Sequence, residues 1–257
     1  MKLDIRLLTP IITRDLRTLD DVRPLERDDL TISHTLLDIG PSSIESEFDE
    51  ALAVPDSIAK AIEAEDAGCQ AIIIDCMGDP GLHACREVVS IPVLGAGQTA
   101  MHVASMLGHR FSFVTVLDRI RPMIDKLIGS YGLADKYASF QAIDVPVLAL
   151  HDDPAALNEA LSDKALTAIE QDGADAIVLG CTGFLGCASA MQSRLLERGY
   201  DVPVIDPIPT TVHVAEALIR TGLTHSKVTY PPPATKPVVG FDLPRYTEGD
   251  DEQQFGT

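Results

Sequence analysis

EAEDAGCQAIIIDCMG (63–78) and AIEQDGADAIVLGCTG (168–183) are two copies of one pattern. Setting Gly68 on Gly173 sets Cys76 on Cys181. After a short insertion the match resumes. Ile91-Pro92-Val93 answers Val202-Pro203-Val204, and Met101-His102-Val103-Ala104 answers Val212-His213-Val214-Ala215. A chain of two similar halves folds with a pseudo-twofold axis, and equivalent positions then face each other across the cleft between the halves. Two thiols on opposite sides of one pocket are what a two-base proton exchange requires.

Outward from these copies, strand and helix alternate. Residues 5–9 read as a first strand. Residues 57–67 have helical spacing and stop at Gly68, a good C-cap. The apolar run 71–75 has the look of a buried parallel strand, and 91–94 repeats it. Helices are expected over 98–107 and roughly 118–130, with a strand at 111–116 between them. The helix 154–172 is opened by Pro154 and closed at Gly173. A strand at 176–179, a helix to about residue 198, a strand at 202–205 and a helix over 210–221 complete the core. This alternation predicts an α/β fold: two similar parallel-sheet lobes related by a pseudo-twofold axis, with the active site in the cleft between them. The expected lobes are residues 1–96 plus 210–257, and residues 97–209. The last ten residues, DEQQFGT and the acidic stretch before it, read as disordered. The Pro-rich piece after Tyr230 is placed either there or packed back over the N-terminal half.

The chain has 257 residues, 46% of them apolar, enough for a real core. No apolar run approaches the ~18 residues of a spanning helix. The N-terminus is charged too early for a signal peptide. Five cysteines, an odd number without a C-x-x-C pair, suit free thiols in a reducing cytoplasm and give no sign of a zinc site. The net charge of −19 makes nucleic acid and anionic membranes poor partners. An acidic, lysine-poor surface is also compatible with high salt, where screening removes self-repulsion.

Cys76 and Cys181 both fall just past a strand's carboxyl end, where open α/β sheets bind ligands. Glycine follows each, so backbone N–H groups can approach a ligand. A helix starting just beyond would lower each thiol's pKa and favour the thiolate.

DCMGDPGL (75–82), REVVSIPVLG (86–95) and LGCTGF (179–184) resemble the paired cysteine motifs of hydantoin and allantoin racemases. LDIGPSSIES (37–46), RFSFVTV (110–116), VPVID (202–206) and the late segment 221–236 fit the same pattern. The resemblance extends to the wider aspartate/glutamate/hydantoin racemase superfamily. It implies a cofactor-independent isomerase in which one cysteine, as thiolate, takes the proton beside a carbonyl while the other, as thiol, reprotonates the opposite face. Residue by residue it implies Gly78 and Gly183 as backbone donors, Thr182 as a hydroxyl, Thr115 at the cleft, and Ser42 and Ser43 lining the substrate. Met77 and Asp79 complete the first cysteine loop, with Asp79 and His83 close enough in sequence to tune Cys76. A small-molecule substrate, no metal, and a homo-oligomer (dimer or higher) are expected.

Hydantoin racemases usually open with Asn-Pro-Asn-Thr after the first strand. This chain keeps only the proline, Pro10, and places Ile11 where an asparagine would meet substrate, so a more apolar substituent is expected. Amino-acid racemases of the superfamily carry Cys-Asn-Thr and Gly-Cys-Thr-His, and Met77-Gly78 and Gly183 differ from both. A 5-substituted hydantoin or related cyclic ureide is therefore favoured over free aspartate or glutamate. Other readings are a superfamily decarboxylase or cis–trans isomerase, a Cys76–His83 hydrolase, a non-catalytic small-molecule binder, and a Cys76–Cys181 disulfide switch. GAGQTA (95–100), followed by Asp118, imitates a dinucleotide-binding fingerprint. Its repeat partner, DPIPTT (206–211), lacks glycine, so packing of helix on strand is the favoured reading, with NAD the rival. His102 and His213 read as packing or surface residues.

Overall fold

The structure, a computed structural model, describes residues 2–241 together with Leu243, Arg245 and Tyr246. Strands β1 (Leu3–Thr9), β2 (Leu30–Leu36), β3 (Ala71–Ile74) and β4 (Val93–Gly95) form one parallel sheet in the order β2-β1-β3-β4. Strands β5 (Phe111–Thr115), β6 (Tyr137–Ala142), β7 (Ala176–Leu179) and β8 (Val204–Ile205) form a second in the order β6-β5-β7-β8. The two orders are the same once the halves are superposed. Registers agree too: Ile72 pairs with Val93 and Ile177 with Val204, each pair the image of the other. The fold is thus α/β with two equivalent parallel-sheet lobes.

Helices cover the sheets: α1 (Glu47–Asp66), α2 (Leu82–Val88), α3 (Ala96–Leu107), α4 (Arg121–Ser130), α5 (Pro154–Glu170), α6 (Cys187–Glu197) and α7 (Pro207–Thr221). Side chains alternate along β1 and β3 between two cores, as period two demands. Leu8, Ile72 and Ile74 face α1 and α2, while Ile5, Leu7 and Ile73 face the large core that continues into the second sheet. Burial on both faces is why the strand at 71–74 reads as unbroken apolar sequence. Helix α3 leaves the first sheet and lies against β7 and β5, whereas α7 leaves the second and lies against β3 and β1. The two helices also pack on each other, which locks the lobes together.

Helix α1 begins ten residues earlier than its spacing predicts. Ser46 caps it by accepting the Asp49 N–H, and Glu47, Asp49 and Glu50 complement the positive end of the helix dipole. Pro55 lies inside α1 and costs one backbone hydrogen bond without ending the helix. Edge strands β2 and β6 carry no clear sequence signal. After α7 the chain packs back over the first lobe. The His225 ring accepts the Val93 N–H, Lys227 donates to the Arg86 carbonyl at the end of α2, and the Tyr246 hydroxyl donates to the Val88 carbonyl. The last ten residues lie outside the described ones. No helix among the described residues is long and apolar enough to cross a membrane.

Candidate active site

A cavity opens between the carboxyl ends of the two sheets. Cys76, two residues past β3, and Cys181, two residues past β7, both line it. They sit close enough that charge on Cys181 pushes the Cys76 pKa up. Pro10, Ile11, Met77, Gly78, Thr182 and Gly183, the other candidates that the fold brings together, line the same cavity. The Thr182 hydroxyl donates to the Asp75 carbonyl across the lobe boundary at 3.3 Å, tying one cysteine loop to the other.

Four expected residues lie elsewhere. Thr115 is fully buried and its hydroxyl donates to the Gly180 carbonyl at 2.8 Å, beneath the cavity floor. Ser42 and Ser43 are outside the lining, where the neighbouring Ile44 reaches the cavity instead. Asp79 points away from the thiols: its carboxylate accepts the Gly97 and Gln98 N–H groups at the start of α3 and the Tyr131 hydroxyl. It does so from a left-handed backbone, φ 51°, which aspartate tolerates better than most residues. The glycines of the GAGQTA stretch let this loop approach: a Cβ on Gly95 would lie 2.5 Å from Asp79 Oδ1. The N-terminus of α3 therefore already holds the chain's own anion where the dinucleotide reading would place a pyrophosphate. His83 also leaves the site, stacking on Tyr230 with Nδ1 3.2 Å from its hydroxyl. All five cysteines are free thiols.

The thiols do not sit at helix starts. Helices α2 and α6 begin six residues beyond Cys76 and Cys181, so the expected lowering of pKa by a helix dipole does not arise. Burial dominates instead. It pushes Cys76 well above the ordinary thiol value, the nearby charge of Glu50 adds to it, and a Gly78 N–H bond pulls the other way. Burial likewise pushes Cys181 up to about 12 against a bond from the Gly183 N–H, 3.4 Å from Sγ. The two glycine N–H groups expected to meet a substrate oxygen are thus turned to the sulfurs. Desolvation disfavours the thiolate, and one backbone donor partly compensates each.

Two polar residues of the wall were given no role by the sequence, although Asp75 opens the first cysteine motif. Asp75 and Arg17 both line the cavity and form a buried ion pair, Nε to Oδ2 at 2.8 Å. Asp75 Oδ2 also accepts the Thr9 hydroxyl at 2.7 Å, while Oδ1 has no hydrogen-bond partner among the described residues. Three of the other four Arg17 N–H groups are taken by Asp21 and the Thr18 carbonyl. An acid directly after an all-apolar strand is the sequence signal that would have found Asp75. Ile11, Ile44, Val116, Ile120 and Met123 make the rest of the wall largely apolar. Gly180 occupies the position equivalent to Asp75, and nothing larger fits there. A Cβ on it would lie 2.5 Å from Thr115 Cβ and 2.8 Å from Phe113 Cδ1. Gly180→Ala is expected to destabilise by about 1–3 kcal/mol through overpacking, read as a lower denaturation midpoint with an unchanged m-value.

The Asp/Glu/Hydantoin racemase family model matches residues 20–216. The chain belongs to that family. It is 43% identical over 204 residues to a hydantoin racemase of Rhizobium meliloti, covering 79% of this chain and 83% of that one. It is 41% identical over 203 residues to a hydantoin racemase of Pseudomonas sp. (strain NS671), covering 79% and 80%. Among solved structures, an allantoin racemase from Klebsiella pneumoniae superposes with a TM-score of 0.87 at 32% identity, covering 93% of this chain and 97% of that one. Membership of the racemase family makes the protein an isomerase, and its two lobes with a cleft between them follow the family's architecture.

Proposed function

We propose that this isomerase racemises a 5-substituted hydantoin or a related cyclic ureide with two cysteines and no cofactor. The observation that carries the reading is that Cys76 and Cys181 reach one cavity from repeat-equivalent positions. One sulfur, as thiolate, accepts the proton from the ring carbon beside the carbonyl, and the electron pair delocalises onto the carbonyl oxygen. The other sulfur, as thiol, returns a proton to the opposite face. The first cysteine ends as thiol and the second as thiolate, so the protons balance. Two thiols lining one cavity support this reading, which requires an acid and a base within reach of a single carbon.

Two further features favour a cyclic ureide over a free amino acid. A cation would favour a free α-carboxylate, yet Arg17 already spends four of its five N–H groups on Asp75, Asp21 and Thr18. A ring N–H needs an acceptor, and Asp75 Oδ1 supplies a buried one with no other partner among the described residues. The apolar wall around Ile11 and Ile44 suits an apolar substituent at the reacting carbon. The test is polarimetry on enantiopure 5-substituted hydantoins, allantoin, aspartate and glutamate. Loss of rotation is expected with the hydantoins. Turnover of the amino acids alone overturns the substrate assignment, and turnover of none overturns racemisation in favour of a binding role or another superfamily chemistry.

A further inference from the structure

The two half-sites are equivalent in backbone but not in what stands behind each thiol. Gly78 and Gly183 are repeat partners, each two residues past its cysteine and each on the cavity wall. Behind Gly183 lies a hydrocarbon: a Cβ there would meet Leu150 Cδ1 at 3.0 Å. Behind Gly78 lies a carboxyl. Glu50 Oε1 reaches over from the first turn of α1 and occupies the space that a Gly78 side chain would need. That oxygen is buried and has no hydrogen-bond partner among the described residues. A buried, unpartnered carboxyl is costly unless its protonation state serves something.

We propose that Glu50 is a positioning residue for Cys76 alone: its carboxyl when neutral lets this thiol ionise, and when charged holds the proton on sulfur, so that the two half-sites answer differently to pH. The inference assumes the cavity described above is the active site. Burial, with the charges of Asp79 and Glu47 against that of Lys126, pushes Glu50 up to about 7, so its carboxyl changes charge near neutrality. After burial itself, Glu50 is the largest influence raising the Cys76 pKa, ahead of Cys181 and Asp79. For Cys181 the acidic neighbours are Asp75 and Glu45, and Glu50 is not among them. The groups that face Glu50 are Cys76, Asp79, Glu47, Lys126 and the Tyr131 hydroxyl. Burial pushes Asp79 up to about 6 against its bonds from Tyr131, Gly97 and Gln98, so it ionises before Glu50, and Glu50 is the last carboxyl of this cluster to gain its charge.

The two enantiomers of a substrate with one stereocentre have equal free energy, so kcat/KM in the two directions must stay equal at every pH. The asymmetry therefore has to be read from the thiols themselves. The experiment follows iodoacetamide alkylation of Cys76 and Cys181 separately, by peptide mass spectrometry, across pH in the substrate-free enzyme. In the native protein the Cys76 rate should rise less steeply than the Cys181 rate as pH passes through neutrality, because Glu50 ionises there. Glu50→Gln, and Glu50→Met as a second neutral variant, should raise Cys76 alkylation about tenfold on the alkaline side. Neither should change it on the acid side, and Cys181 should stay within twofold throughout. Glu50→Asp should restore the native profile in shape. Identical profiles for both thiols in the native enzyme, or equal changes at both in the variants, overturn the proposal. Alkylation needs no substrate, so a failed substrate assignment and a failed role for Glu50 remain distinguishable.

Discussion

Replacing either Cys76 or Cys181 by serine is expected to lower racemisation by roughly a thousandfold or more. In the proposed two-base exchange both sulfurs are needed for one turnover, one to take the proton and one to give it. A serine hydroxyl is too weak an acid to form the base at neutral pH and too poor a donor to replace the thiol. Each single variant should nonetheless retain half of the chemistry. With one thiol left, proton removal from one face continues and the carbanion is reprotonated from the same side by deuterium from solvent. The two variants should therefore wash deuterium into opposite enantiomers without interconverting them, which proton NMR in heavy water will record. Near-native racemisation by either variant sinks the two-base reading.

Native activity should also be bell-shaped in pH and displaced to the alkaline side. Burial holds both thiols well above the ordinary value, so at neutral pH the base is a minority species. The rate rises as the pair loses its first proton and falls as it loses its second, because no acid then remains. These two limbs belong to the pair and to neither cysteine separately.

The two cysteines that line the cavity were legible because a repeat encodes them. Gly68 and Gly173 both take a left-handed backbone, which only glycine adopts freely, and so fix the same helix-to-strand turn in both halves. The following strands are buried on both faces and read as unbroken apolar runs. What the sequence hid was long-range or polar. Strand β2, LTISHTL, is an edge strand, half-exposed along most of its length, and its polar residues mask the period. Strand β6 is the equivalent edge and hides in the same way. Arg17 lies in irregular chain and acquires meaning only from Asp75, 58 residues further on. Glu50 falls in the part of α1 that precedes Pro55, where a proline suggests that no helix has yet begun. Asp79 misled in the other direction: it sits in the cysteine motif, but a positive φ turns it to cap α3 instead of meeting substrate.

Arg17→Met should be the most damaging substitution for stability, at about 3–5 kcal/mol near neutral pH. The guanidinium and its partners are almost wholly out of water, with side chains of Arg17 and Asp75 exposed by 3% and 0%. Burial opposes the Arg17 charge, but Asp75 and Asp21 outweigh that penalty and hold its pKa above the usual value. Removing the cation leaves Asp75 and Asp21 as buried carboxylates facing each other and Asp206. Burial and the charge of Asp21 already push Asp206 up to about 7, while Arg17 pulls it down. Without Arg17 its folded pKa climbs further above the unfolded one. The native state then binds more protons than the unfolded state, so stability must fall as pH rises. The deficit should accordingly be smaller at about pH 5 than at about pH 8, measured by urea unfolding. Adding Asp75→Asn to the variant removes the charge that lost its partner and should recover part of the loss, whereas two unrelated packing defects would simply add. A deficit that is the same at both pH values, with no recovery in the double variant, would mean that Arg17 stabilises this wall by its packed stem and not by its charge.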